Sequence, residues 1–325
     1  MSHSTPASGT ADPADPMSGP VSGPVSELQE SVRIRRRLPW WRLLLRDRFA
    51  TLSVLWFAIL LAFVLLGPLF LTADATKLDL SARNAAPGFS HGWLFLAGAD
   101  PLGRPLLPRL MVGARNTLVI ALSSVALACC FGSLLGMIAG YLGGLVGSLI
   151  MRLADVISSF PSLLLALIVL YVLEPHVMNL VLVLAITRVS VYLRVTRAEV
   201  LEIRERAFVD ASRALGAGTP HILRRHIAPI VAPTLATIVT VDFAAVMLAE
   251  SALSFLGIGI QPPEITWGLM VSQGRAYLTQ AWWLAFLPGL AIMLTTLSAN
   301  LFSSWLRTVT DPAQRWRLEL RRKAK

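Results

Sequence analysis

The chain has 325 residues, of which 55% are hydrophobic and only 15% charged, with a formal net charge of +10. That composition excludes an ordinary soluble domain and leaves room for several membrane spans with a core built in lipid. The positive charge rests on Arg, since Lys77, Lys323 and Lys325 are the only lysines; the arginines flank apolar stretches, so membrane orientation explains them better than nucleic acid, which is not expected as a partner.

Residues 1–30 form a tail rich in Pro, Ser, Gly and Ala, expected to be disordered and without the basic start and apolar centre of a cleaved leader. The first span is therefore expected to act as an uncleaved anchor. Residues 31–48 carry seven Arg around Trp40-Trp41 and Leu43-Leu44-Leu45, which suits an interfacial segment at the lipid surface. From Phe49 to Leu71 runs an uncharged stretch of about 23 residues, enough for one span at about 1.5 Å per residue. With its following outer loop it makes a unit over 49–116. A five-span core over 117–306 follows, with spans at 117–139, 152–173, 177–193, 230–257 and 282–306, and a basic tail over 307–325 closes the chain. The fold class expected is all-α, a polytopic membrane protein with six transmembrane helices.

Cys129 and Cys130 are adjacent in an apolar run, where a disulfide would be strained, and they read as small packing residues. Arg152 and Asp155 are three apart and are expected to pair on one helix face. Glu174-Pro175-His176 is a turn short enough to force an antiparallel hairpin. With both termini inside, Lys and Arg number seven before the first span, seven between Arg194 and Arg225, seven after the last span, and six outside. The bias sets the termini on the cytoplasmic side.

The loop 194–229 holds the densest information. Val195, Ala198, Val200, Leu201, Ile203, Phe208, Ala211 and Leu215 recur at mostly helical intervals, Gly216 suits a helix end, and Thr219-Pro220 reads as the cap and first position of a second helix that Pro229 ends. Ala211, Ser212, Ala214 and Gly216 make a low-relief surface, while Arg213, Arg224 and Arg225 offer contacts to carboxylates. On the residues alone, this loop either receives another protein or packs on its own bundle. His226 reads as a packing residue. Within the fifth span, Asp242 and Glu250 stand about two turns apart on nearly one face and are the candidates for a translocation pathway. Glu250 has a second reading, as a tie between the following loop and a neighbouring span.

The segment Asp210-Ala211-Ser212-Arg213-Ala214-Leu215-Gly216, followed after nine residues by His226-Ile227-Ala228-Pro229, resembles the ATPase-docking loop of bacterial ABC importer permeases. The acidic residue, one Ala, the Gly and the Pro fall at that family's offsets, with Asp for Glu at 210, Ser for Ala at 212, His for Ile at 226 and Ala for Leu at 228. Gly98-Ala99-Asp100-Pro101-Leu102-Gly103-Arg104-Pro105 with Arg109 to Arg115, Leu253 to Pro263 with Trp267-Gly268, and Leu306 to Pro312 are similar to the second permease of the dipeptide, oligopeptide and nickel importers, although Pro105 stands where Asp is common. The resemblance covers about residues 35–315. It implies a type I permease fold in the bacterial inner membrane, pairing with a homologous permease, two ABC ATPase subunits and an extracytoplasmic substrate-binding protein. Docking would use Asp210 to Gly216, Arg224, Arg225, His226 and Pro229.

The chain itself is expected to carry no catalytic residue, no metal and no cofactor. A P-loop needs a Lys after a Gly-rich turn and none of the three lysines has one, so ATP and Mg would be bound by the partner ATPase. The alternatives are a proton-coupled secondary transporter using Asp242 and Glu250, against which stands the lack of a convincing internal repeat, and a non-transporting membrane scaffold.

Overall fold

In the computed structural model, residues 40–174 and 176–310 are described. The tail 1–30, residues 31–39 of the basic segment, Pro175 and residues 311–325 with Asp311-Pro312 lie outside them. Twelve α-helices order the described residues: α1 Trp40–Leu44, α2 Arg48–Phe70, α3 Thr72–Thr76, α4 Leu106–Leu142, α5 Gly144–Ser158, α6 Ser162–Val172, α7 Val177–Ile203, α8 Ala207–Ala214, α9 Thr219–Ile222, α10 Ala228–Phe255, α11 Trp267–Gly274 and α12 Trp283–Thr310. Among the described residues there is no strand, only an isolated bridge between Ala99 and Pro105.

Helix α2 starts where Asp47 accepts the Phe49 and Ala50 N–H groups at 3.0 and 3.3 Å, satisfying donors that a helix leaves free. It is apolar around its whole circumference and buries only one stripe, Ala50, Ser53, Leu60 and Gly67, against α4 and α12. Leu52, Leu55, Leu61, Leu65 and Leu66 face outward, as a lipid-facing helix requires.

Among the described residues, five helical segments are long and apolar enough to cross a membrane: α2, α4, α7, α9 with α10, and α12. The expected span 152–173 is not one straight helix: it takes in the end of α5 and all of α6, a pair bent by 83° that starts at Gly144. Pro161 is the cause: it brings no N–H, and its ring pushes Phe160 away from the helical region. Counted as one span, the pair makes the sixth. Asp155 on α5 pairs with Arg194 of α7 at 3.0 Å and not with Arg152, so it joins two helices.

Helix α4 begins at Leu106, eleven residues ahead of the span expected from the sequence, and its 37 residues exceed a hydrocarbon core of about 30 Å. Its extra turns are pinned by the segment after α10. The Trp267 N–H donates to Thr117 Oγ1 at 3.1 Å, its indole Nε1 donates to the Leu110 carbonyl at 2.9 Å, and Asn116 Nδ2 donates to the Ile265 carbonyl at 2.8 Å.

The most extensive helix pairing among the described residues is α4 with α7. Gly132, Gly136 and Gly140 recur every four residues on one face of α4, and a Cβ at any of them would meet α7 atoms at 2.6 to 2.8 Å: Tyr192 Cβ, the Leu193 carbonyl and Val200 Cβ. In lipid, where apolar surface gains nothing by leaving the solvent, this backbone approach supplies the association. The seam places the end of α4 beside the end of α7, the base on which α8 sits.

Candidate functional site

Between Ile203 and Ala207 the chain breaks, so the amphipathic helix expected across this region is two helices, α7 and α8. Arg204 closes the break, its NH1 donating to the Gly140 carbonyl at 2.9 Å and its Nε pairing with Glu205 at 2.9 Å. Helix α8 is anchored by Val209, which is buried with Val200, Ile203, Ile222, Ile227 and Val231. With that side held, Asp210, Ala211, Arg213, Ala214 and Leu215 are exposed, Leu215 at 89%.

Gly216 ends α8 with φ +84°, the left-handed conformation expected of it. Its N–H donates to the Arg213 carbonyl at 2.9 Å and the Ala217 N–H to the Ser212 carbonyl at 3.1 Å, the paired bonds of a Schellman end. A Cβ at Gly216 would meet nothing within 4 Å. The glycine answers to backbone conformation here, and the space above it is open.

The restart differs from expectation. Gly218, not Thr219, occupies the cap position, with Thr219 and Pro220 inside α9 and no side-chain cap. Nor does Pro229 end that helix. A π-helical turn over Leu223–Ile227 carries α9 into α10, Ala228 N–H reaching the Leu223 carbonyl. The wider turn moves carbonyls out of the way of the Pro229 ring, so the chain passes from loop to span without a break.

The charges of the loop divide. Arg213 is engaged within the chain, its Nε donating to the Tyr141 hydroxyl at 3.2 Å, its NH1 pairing with Asp210 at 3.2 Å, and its guanidinium 5.2 Å from the Tyr141 ring centre. It therefore ties α8 to the end of α4. Arg224 and Arg225 are exposed. His226 packs between Phe208 and His221, ring centres 6.2 and 5.8 Å away, with Ser212 Oγ 3.4 Å from its Nε2. Pro229 is exposed at the first turn of α10.

Asp242 and Glu250 share α10 but not surroundings. Glu250 is 0% exposed; Ser254 Oγ donates to it at 2.9 Å and Ser251 Oγ at 3.3 Å, and Ser254 Oγ accepts the Ile260 N–H at 3.2 Å. This geometry is that of a tie holding the turn after α10, where Gly257 has φ +83°. Asp242 is 6% exposed, with Arg188 of α7 at 3.8 Å and itself partly exposed. Sequence reasoning missed this pair, although an Arg inside an apolar stretch was the available signal.

Residues 132–316 match the family described as "Binding-protein-dependent transport system inner membrane component". The chain is 43% identical over 218 residues to the di/tripeptide transport system permease protein DppC of Pseudomonas aeruginosa, covering 67% of this chain and 72% of that protein. It is 35% identical over 254 residues to the probable D,D-dipeptide transport system permease protein DdpC of Escherichia coli, covering 78% and 84%. The glutathione transport system permease protein GsiD of Pectobacterium atrosepticum is 33% identical over 280 residues, covering 85% and 92%. A solved inward-facing structure of the MetNI methionine ABC transporter aligns with a TM-score of 0.48 at 17% identity, covering 62% of this chain and 98% of that one. Family membership sets aside the proton-coupled alternative. This multi-pass helical chain belongs to the binding-protein-dependent transport system inner membrane components, the permease subunits of ABC importers.

Proposed function

We propose that this permease carries short peptides inward across the bacterial cytoplasmic membrane, driven by separate ATPase subunits that dock on α8 and the turn after it. The reading rests on one observation above others: α8 is held from below by Val209 while Ala211, Ala214, Leu215 and Gly216 stand open. Small side chains let another backbone come close, and Leu215 offers an apolar anchor that a partner's cleft would bury. Asp210, Arg224, Arg225 and Pro229 edge that surface, while Ser212, Arg213 and His226 shape it from within.

Closure of the ATPases on ATP would move α8 as one body. Arg213 on Tyr141 and Arg204 on the Gly140 carbonyl would carry the motion into α4, and the unbroken π turn would carry it into α10. ATP and Mg belong to the ATPase, because the three lysines here lie outside any Gly-rich phosphate loop. A homologous permease completes the pathway, an extracytoplasmic binding protein delivers the ligand, and both termini lie in the cytoplasm, as the excess of Arg at that end favours. In this assembly Asp242 with Arg188 is the charge pair nearest a pathway, and Glu250 holds the turn beyond α10. Short peptides are favoured as cargo by the names of the relatives, which specify di- and tripeptides, D,D-dipeptides and glutathione.

The test is purification of the tagged chain from its native membrane in mild detergent, with mass spectrometry of what comes with it. A second permease and P-loop ATPases are expected. Recovery of the chain alone, under conditions that hold other membrane complexes together, would overturn the reading.

A further inference from the structure

At the end of the bundle opposite α8, a cavity of about 400 Å³ is lined by Asp100, Arg104, Arg109, Gln273 and apolar side chains including Met270 and Leu284. Arg104 Nε lies 2.6 Å from Asp100 Oδ2. The other carboxylate oxygen accepts the Leu102 and Arg104 N–H groups, both at 2.9 Å. Asp100 is thus satisfied by its own turn.

Arg109 is not. It is 4% exposed, yet its contacts are long: the Ala75 carbonyl at 3.5 Å, Gln273 Oε1 at 3.4 Å and Asp100 Oδ2 at 4.0 Å. A guanidinium has five N–H donors in a planar fork, and burying one without a close anion is costly. The same cavity receives the start of α4, where Pro105 supplies no side-chain cap. Asp100, the carboxylate in the cavity wall, reaches Arg109 through one oxygen only, at 4.0 Å, and a second carboxylate would fit the guanidinium fork in bidentate fashion. The apolar wall leaves room for a small hydrophobic side chain beside it, and a cavity of this size suits a ligand of a few residues.

We propose that this cavity binds the C-terminal carboxylate of a short peptide, with Arg109 as its receptor. The inference rests on the peptide-importer reading above and adds a substrate contact at the outer end of the permease. Gln273, exposed at the rim, orients the guanidinium from the open side.

The test uses the complete complex in detergent without its binding protein. Trialanine and trialanine amide are titrated by saturation-transfer NMR. The acid is expected to bind saturably and the amide about tenfold more weakly or worse, as loss of a charge-assisted contact predicts. Arg109→Gln and Gln273→Glu should each remove that preference, the second by placing a carboxylate in the site from the chain itself. Should Arg109→Gln fail to assemble, Gln273→Glu decides, because Gln273 is exposed. Equal binding of acid and amide to the unaltered complex, or an undiminished preference in Gln273→Glu, overturns the proposal. So does a complex that binds no trialanine but whose variants lose affinity for the binding protein, since the carboxylate would then be that protein's. Uptake of trialanine into vesicles with the binding protein present separates the two readings. Uptake without any acid preference at the permease sinks the site alone, and no uptake sinks the peptide reading with it.

Discussion

Two groups of small residues have opposite surroundings. Gly132, Gly136 and Gly140 on α4 are filled: each would drive a Cβ to within 2.8 Å of α7. Ala211, Ala214 and Gly216 at α8 are open, with nothing within 4 Å of a Cβ at Gly216. The first group is used up by the chain's own fold, and the second is left exposed, as the proposed docking of an ATPase requires. A small residue says only that something comes close; the structure says whether that something is already present.

The contrast is most easily broken at the seam. Gly136→Val should cost about 3 kcal/mol or more, because both the Leu193 carbonyl and Thr196 Cβ lie 2.7 Å from the new Cβ. Its expected signature is loss of folded protein from the membrane and a lower melting temperature in detergent; a normal melting curve would remove the seam from the fold's foundations. Gly216→Val should reverse that pattern. Strain at positive φ costs about 1–2 kcal/mol in an exposed turn, so membrane levels stay normal while co-purified ATPase falls about tenfold. Full recovery of ATPase with this variant would make α8 a packing element.

Glu250 sorts with the closed group. Glu250→Ala should lower stability by about 2 kcal/mol through loss of the Ser251 and Ser254 bonds, seen as a reduced melting temperature, with Glu250→Gln losing less. Impaired uptake in Glu250→Gln with unchanged stability would instead put the carboxylate in the pathway. The smallest effect belongs to Tyr141→Phe, which takes the hydroxyl from Arg213 but keeps the ring. ATPase recovery should be unchanged and ATP hydrolysed per peptide should rise about twofold, comparable with loss of a surface contact. An unchanged ratio would make the contact incidental to coupling.

Much of this was legible in the chain. Long apolar runs located the spans, and Gly216 announced its own positive φ because few residues tolerate it. What failed did so for local reasons. Pro161 sits within a run so apolar that hydropathy hides the 83° bend it causes. Leu106 to Asn116 carry Arg109 and Arg115 and so resemble loop, yet they are helix because Trp267 packs on them from 150 residues away. The Thr219-Pro220 and Pro229 signals described two helix ends, whereas the π turn lets one helix run through the second. The Gly132, Gly136, Gly140 spacing was in plain view and went unread, since its partner face on α7 shows no pattern of its own. Arg188 with Asp242, and Arg109 with its cavity, needed distance in space that no sequence spacing supplies.

The docking surface is tested most directly by a cysteine at Leu215, with Cys129 and Cys130 replaced by Ala and a control cysteine at the exposed Leu80 of the opposite end. Maleimide labelling of the purified permease is compared before and after addition of its ATPase subunits. Position 215 should label fast in the permease alone and be protected once the ATPase is bound, while position 80 labels equally in both. Equal labelling of position 215 in the assembled, active complex would contradict the assignment of α8 as the surface through which ATP is felt.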